Sequence, residues 1–205
     1  MLSDRGQAAL LRELKGIEFD CFYCHDEPIP DSFNHAVARA LAEDWWRHAL
    51  FIEEDVVLPR GAIDSLLSVD SDIAAIDYRL KGYQQDRLSH LEAAGRILWV
   101  SLGCTLVDRL VFEVLPEPWF DVDHAIEGHH EGSTSEWRFE LIKRPSIYGD
   151  QDVYFSFKAF EAGFSIGIVR MMLAEHLDLD YAVALDRGPQ EQISESVILG
   201  RSAGR

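Results

Sequence analysis

The apolar residues of this chain come in short runs with two different periods. Residues 4–15 (DRGQAALLRELK) repeat at helical spacing, with Ser3 available as an N-cap and Gly16 as a stop. Residues 17–24 (IEFDCFYC) read as a strand. Asp31 and Ser32 can cap a helix running through residues 35–41. Ala49, Leu50, Phe51 and Ile52 then form a continuous apolar run that ends abruptly in Glu53, Glu54 and Asp55. A run of this kind suits a parallel strand covered on both faces. After Pro59, Arg60 and Gly61 the pattern predicts a helix over residues 62–67, and strands over residues 72–78 and 97–102. Gly103 and Cys104 break that last strand, and the apolar pattern continues through residues 106–115 until Pro116 and Pro118 end it. Residues 151–162 make an amphipathic helix stopped by Gly163, and residues 164–170 a final strand.

Between these elements, residues 80–96 have no clear period. Residues 121–146 are rich in acidic residues, histidine and glycine and read as a mobile loop. The residues after 178 read as a surface tail. The alternation of helix and strand predicts a single α/β domain over residues 1–178, with a C-terminal tail over residues 179–205.

Composition narrows the setting. The 205 residues are 47% hydrophobic and 27% charged, ordinary values for a folded domain able to bury its own core. No apolar stretch approaches the roughly 18 residues of a membrane span, and no secretory signal opens the chain. Three cysteines cannot form a disulfide framework, which points to a reducing, cytoplasmic setting. The net charge of −17 repels phosphate backbones, so nucleic acid is a poor expected partner. Cys21 and Cys24 stand in a CxxC spacing, but on a strand they point to opposite faces and do not make a zinc pair.

Chemistry concentrates at three places. Side chains alternate along a strand, so Glu53 and Asp55 point one way and Glu54 the other. Three adjacent acids at the end of a buried strand repel each other. Either they are a solvated strand end, or a hard divalent cation such as Mg²⁺ or Mn²⁺ neutralises them. Asp150 and Asp152 lead into the helix that starts near Gln151, where the helix dipole favours a carboxylate; a general base at that place would stand ready for a substrate hydroxyl. His176 follows the last core strand and is placed either as a surface residue or as a ligand.

Taken in order, these segments resemble the metal-dependent glycosyltransferases of the GT-A fold, and among them the family-two inverting type. The resemblance spans about residues 17–178. It is carried by NHAVARAL at residues 34–41, and by FIEEDV at residues 51–56 with the GAIDSLL helix that follows. It is carried further by SLGCTLVDRLVF at residues 101–112, by Pro118-Trp119-Phe120, by residues 149–163, and by His176. The resemblance implies a GT-A-like (Rossmann-like), mixed and mainly parallel sheet flanked by helices. It implies Mn²⁺ or Mg²⁺ held by Asp55, Glu53 and His176, and a catalytic base at Asp152 or at Asp150, the residue just before the Gln151-Asp152 pair. Asp26, Glu54 and Gly103 would contact a nucleotide-sugar donor, and Trp119 and Phe120 would stack on the acceptor. The family usually carries aspartate where Glu53 stands, and Glu-Asp where this chain has Gln151-Asp152. It usually opens with a strand that contacts the nucleotide base, whereas this sequence starts at what resembles the following helix. Two other classes stay open: a binding module that keeps the fold without catalysis, and a different metal-dependent nucleotide enzyme. A nucleotidyltransferase would normally show a Gly-rich basic loop, but residues 25–32 are HDEPIPDS.

Overall fold

The computed structural model describes residues 3–23, 28, 30–79, 89–130, 137–145, 150–177 and 195–201. It is a mixed α/β domain built on one six-stranded sheet. Helix α1 (Asp4–Glu13) is capped by Ser3, whose hydroxyl accepts from the Gly6 N–H. Strand β1 (Glu18–Tyr23) and helix α2 (Asp31–Leu41) lead to β2 (His48–Glu53) and the two-residue β3 (Val56–Val57). Helix α3 (Ala62–Ser68) precedes β4 (Ile73–Asp77), and a hairpin of β5 (His90–Ala93) and β6 (Arg96–Val100) precedes β7 (Cys104–Asp108). Helix α4 (Arg109–Val114) follows directly. The Asp108 side chain caps it by accepting from the Leu110 N–H. Strands β8 (His124–His130) and β9 (Trp137–Lys143) form a second hairpin. Helix α5 (Gln151–Glu161), β10 (Ile166–Leu173), β11 (Glu175–His176) and β12 (Glu195–Arg201) complete the described elements.

The sheet order is β1-β12-β2-β7-β4-β10. Both faces are covered, as the apolar runs predict. Along β2, Ala49 and Phe51 face a cluster with Phe33, Val37 and Ala40 of α2, Phe112 of α4 and Phe155 of α5. Leu50 and Ile52 face the other cluster, with Leu10 of α1 and Ile63 and Leu66 of α3. Each fully buried side chain of this size contributes about 1.5–3 kcal/mol.

Three expectations are corrected here. The sheet is mixed, but it is not mainly parallel in its pairing. β1, β2, β4 and β10 run one way; β7 and β12 run the other and lie between them, so only β4–β10 pairs parallel among the described ladders of this sheet. A buried apolar run reports cover on two faces and carries no information on strand direction. Residues 121–146 do not form one loop, because β8 and β9 pair in register from His124↔Lys143 to His130↔Trp137. The C-terminal region is not all surface tail. β12 sits inside the sheet, pairing Ile198 with Cys21 on one side and Leu50 on the other, and among the described strands it alone joins β1 to the sheet. None of the described helices is long and apolar enough to cross a membrane.

Candidate functional site

Because β2, β4 and β10 run the same way, their carboxyl ends meet at one rim of the sheet. Ligand sites of open α/β sheets favour this rim. β2 delivers Glu53 there, and the turn that follows delivers Asp55. After β10 the chain turns, and β11 pairs antiparallel with β3, setting His176 opposite Val56. Leu177 N–H donates to the Asp55 carbonyl at 2.7 Å and locks this ladder. The result brings Asp55 Oδ2 within 2.9 Å of His176 Nε2. The ligand atoms of Glu53, Asp55 and His176 all lie within 4.8 Å of one another. The same-side geometry expected of Glu53 and Asp55 is therefore present, and Glu54 stands outside the three-residue cluster.

Helix α1 supports the acidic turn without reaching the cluster. Ser3 N–H donates to the Glu54 carbonyl at 3.1 Å. Gly6 packs so close that a Cβ there would lie 3.2 Å from the Val56 carbonyl oxygen. Arg5 makes a bidentate pair with Glu175, the residue before His176.

Behind the cluster runs a chain of hydroxyls that sequence reasoning missed. Tyr78 immediately follows β4 and is buried. Its hydroxyl donates to Glu53 Oε2 at 2.8 Å and also bonds the Ser101 hydroxyl. Its ring lies 5.0 Å from that of His176. Tyr78 fits because position 103 is glycine: a Cβ on Gly103 would lie 2.5 Å from the Tyr78 hydroxyl oxygen. Gly103 was expected at the donor; what it does in the fold is make room for this tyrosine. Tyr78 belongs to no charged pattern or motif, and Ser101, though it opens the SLGCTLVDRLVF segment, carried no role of its own there.

Asp152 approaches the same network from α5. Ser156, one turn further on, bonds both the N–H and the carbonyl of Val100, which lays this end of α5 over residues 99–101. Burial pushes the Asp152 carboxyl up to about 6. The Val153 N–H, the Trp99 indole and the Ser101 hydroxyl all face it and oppose that rise. The indole nitrogen nonetheless has no acceptor at full hydrogen-bond distance. Burial likewise pushes Glu53 up to about 7, helped by the charges of Asp55 and Asp152 and opposed by the Tyr78 hydroxyl and by His176. Asp150 takes the left-handed conformation (φ 54°) just ahead of α5 and makes no capping bond. Its charge adds to the rise at Asp152.

Two other expected roles do not survive. Trp119 and Phe120 are 4% and 0% exposed. The Trp119 indole donates to the Phe112 and Leu115 carbonyls, and the Phe120 ring lies 5.0 Å from Phe155. Both are core aromatics and present no face to a sugar. Asn34 holds them there: its carbonyl accepts from the N–H groups of both, and its amide donates to the Phe120 and Pro30 carbonyls. Asp26 lies outside the described residues. Cys104 is buried with its thiol pushed up to about 12, so it offers no nucleophile.

The donor set suits a divalent cation. Two carboxylates and an imidazole converge, and His176 Nδ1 is buried without a protein partner. Carboxylate oxygens and an imidazole nitrogen are both ordinary donors to divalent cations, and this set does not by itself select one ion among them. The molecule is thus a mixed α/β domain with an acidic-histidine cluster at the carboxyl rim of its sheet. No family model matches the chain, and no curated protein matches it. Among solved structures it is similar to A197 from STIV, with 16% identity and a TM-score of 0.48 over 74% of this chain and 68% of that one.

Proposed function

We propose that this protein is a metal-dependent glycosyltransferase that moves a sugar from a nucleotide-sugar donor to an acceptor hydroxyl with inversion. The observation that carries the reading is the meeting of three residues the sequence resemblance singled out, Glu53, Asp55 and His176, with a fourth, Asp152, near enough for its charge to act on Glu53. Asp55, Glu53 and His176 would hold Mn²⁺ or Mg²⁺, which when bound offsets the charge growing on a leaving diphosphate.

Asp152 performs the proton transfer. A carboxyl raised to about 6 is ionised at neutral pH, yet basic enough to accept a proton from the attacking hydroxyl. The Val153 N–H, at 2.8 Å, fixes one of its oxygens. Trp99 and Ser101 are the other polar groups near its carboxyl. A single displacement with this base on one side inverts the anomeric centre.

The test is thermal unfolding with a panel of nucleotides and nucleotide-sugars, with and without Mn²⁺, on the wild type and Asp55→Ala. A ligand at 100 times its Kd adds about 2.7 kcal/mol. For a domain of this size that shifts Tm by roughly 5–10 °C. A Mn²⁺-dependent shift with one nucleotide family, lost in Asp55→Ala, supports the reading and identifies the donor base. No shift with any nucleotide refutes it and leaves a non-catalytic module. Transfer of a nucleotidyl group in place of a sugar refutes it in favour of a nucleotidyltransferase.

A further inference from the structure

We infer that Tyr78 is a positioning residue for the metal cluster, holding two of its three ligands at once. The inference rests on the metal-dependent reading above and adds a residue to it. Tyr78 is attached to both Glu53 and His176, by different parts of its side chain. The hydroxyl donates to Glu53 Oε2 at 2.8 Å, and the ring packs against the His176 imidazole at 5.0 Å. A phenol carries one proton. With that proton on Glu53, the contact with Ser101 is made by the Ser101 hydroxyl donating to Tyr78. Tyr78 thereby fixes one oxygen of Glu53.

The placement is built in. Tyr78 N–H donates to the Ser89 hydroxyl and its carbonyl accepts from Ser89 N–H, so its backbone is held at both polar groups. Gly103 leaves the space the ring occupies, and any side chain there would collide with it. Asp77, the residue just before Tyr78, receives the segment that carries His176: Ala174 N–H donates to the Asp77 carbonyl at 2.8 Å. One short stretch after β4 thus sets both the ring and the arrival of the histidine.

Groups that orient metal ligands from behind typically change metal affinity by 10–100-fold when removed. The experiment measures Mn²⁺ binding to the full chain by titration calorimetry and electron paramagnetic resonance, in the wild type and Tyr78→Phe. The ring stays and only the hydroxyl goes, so a packing role alone would leave affinity unchanged. We expect Tyr78→Phe to bind Mn²⁺ about 10–100-fold more weakly. In the wild type, we expect Mn²⁺ to produce a tyrosine ultraviolet difference band that the variant lacks. Equal affinity in the two proteins overturns the role of Tyr78 while the metal site stands. No Mn²⁺ binding in the wild type overturns both. If Tyr78→Phe does not fold, the wild-type spectrum decides: a tyrosine band on saturation with Mn²⁺ supports the inference, and its absence overturns it.

Discussion

Glu53 is held in the fold at a cost that one substitution should recover. Its carboxyl is raised from 4.5 to about 7, first by burial. At about 1.4 kcal/mol per pKa unit, keeping it ionised costs the metal-free protein about 3 kcal/mol. Glu53→Gln removes the charge and keeps an oxygen to accept from Tyr78. The new amide brings two donors that need partners, and this takes back about 1 kcal/mol. The variant should therefore be more stable than the wild type by about 2 kcal/mol at pH 8, or roughly 4–8 °C in Tm. The sign depends on pH. Between about 4.5 and 7 the unfolded chain has released this proton and the folded chain still holds it, so wild-type stability falls as pH rises through that window. Glu53→Gln lacks this fall. Near pH 4, where Glu53 bears no ionisation cost, the variant should lie about 1 kcal/mol below the wild type; the order should reverse as pH rises, leaving the variant above the wild type beyond pH 7. Calorimetry across pH 4–8 in chelator tests this, and Mn²⁺ should then stabilise the wild type only. A variant that melts at or below the wild type at pH 8 would refute the reasoning, because Glu53 would then bear no ionisation cost.

Asp152→Asn should lower transfer by about 10²–10⁴ and leave Mn²⁺ affinity within a few-fold, which separates base from ligand. If Asp152 is the base proposed above, the wild-type rate should rise with pH around 6 and level off above it. Asn34→Ala deletes four hydrogen bonds, three of which tie α2 to Trp119 and Phe120, and should cost about 2–3 kcal/mol in denaturant unfolding. Ile198→Pro removes an N–H from the strand that joins β1 to the sheet. It should cost about 3 kcal/mol or more, and β1 amides should lose their protection from hydrogen exchange first.

The sequence made some of this legible because local rules sufficed. Ser3 capping α1 and the spacing of Glu53 and Asp55 follow from chain geometry alone. The convergence of Glu53, Asp55 and His176 could be expected only from the order of segments along the chain, since no local rule reports a contact between residues as far apart as Asp55 and His176. What stayed hidden had three physical causes. Strand direction leaves no mark in a run buried on both faces, so the reversed β7 and β12 were invisible. Trp119 and Phe120 were ambiguous because an aromatic beside proline suits a core and a sugar platform equally; Asn34, 85 residues earlier, decides for the core. Tyr78 and Ser101 are neutral hydroxyls whose role exists only once β4 and β7 lie side by side.

The weakest part of the site is also the part that metal would strengthen. His176 is carried by a ladder of two residue pairs, too short to hold by its own hydrogen bonds. The Arg5–Glu175 pair beside it is exposed, and such pairs contribute about 0–1 kcal/mol. Helix α1 therefore matters to the site at a distance: it braces the Glu54–Val56 backbone on which the ladder forms. Bringing Asp55 and His176 onto one cation would add the constraint this ladder lacks, and would offset the ionisation cost at Glu53 in the same step. Binding and local folding of the rim are then one equilibrium. Loosening α1 should weaken Mn²⁺ affinity even though no described side chain of α1 belongs to the cluster.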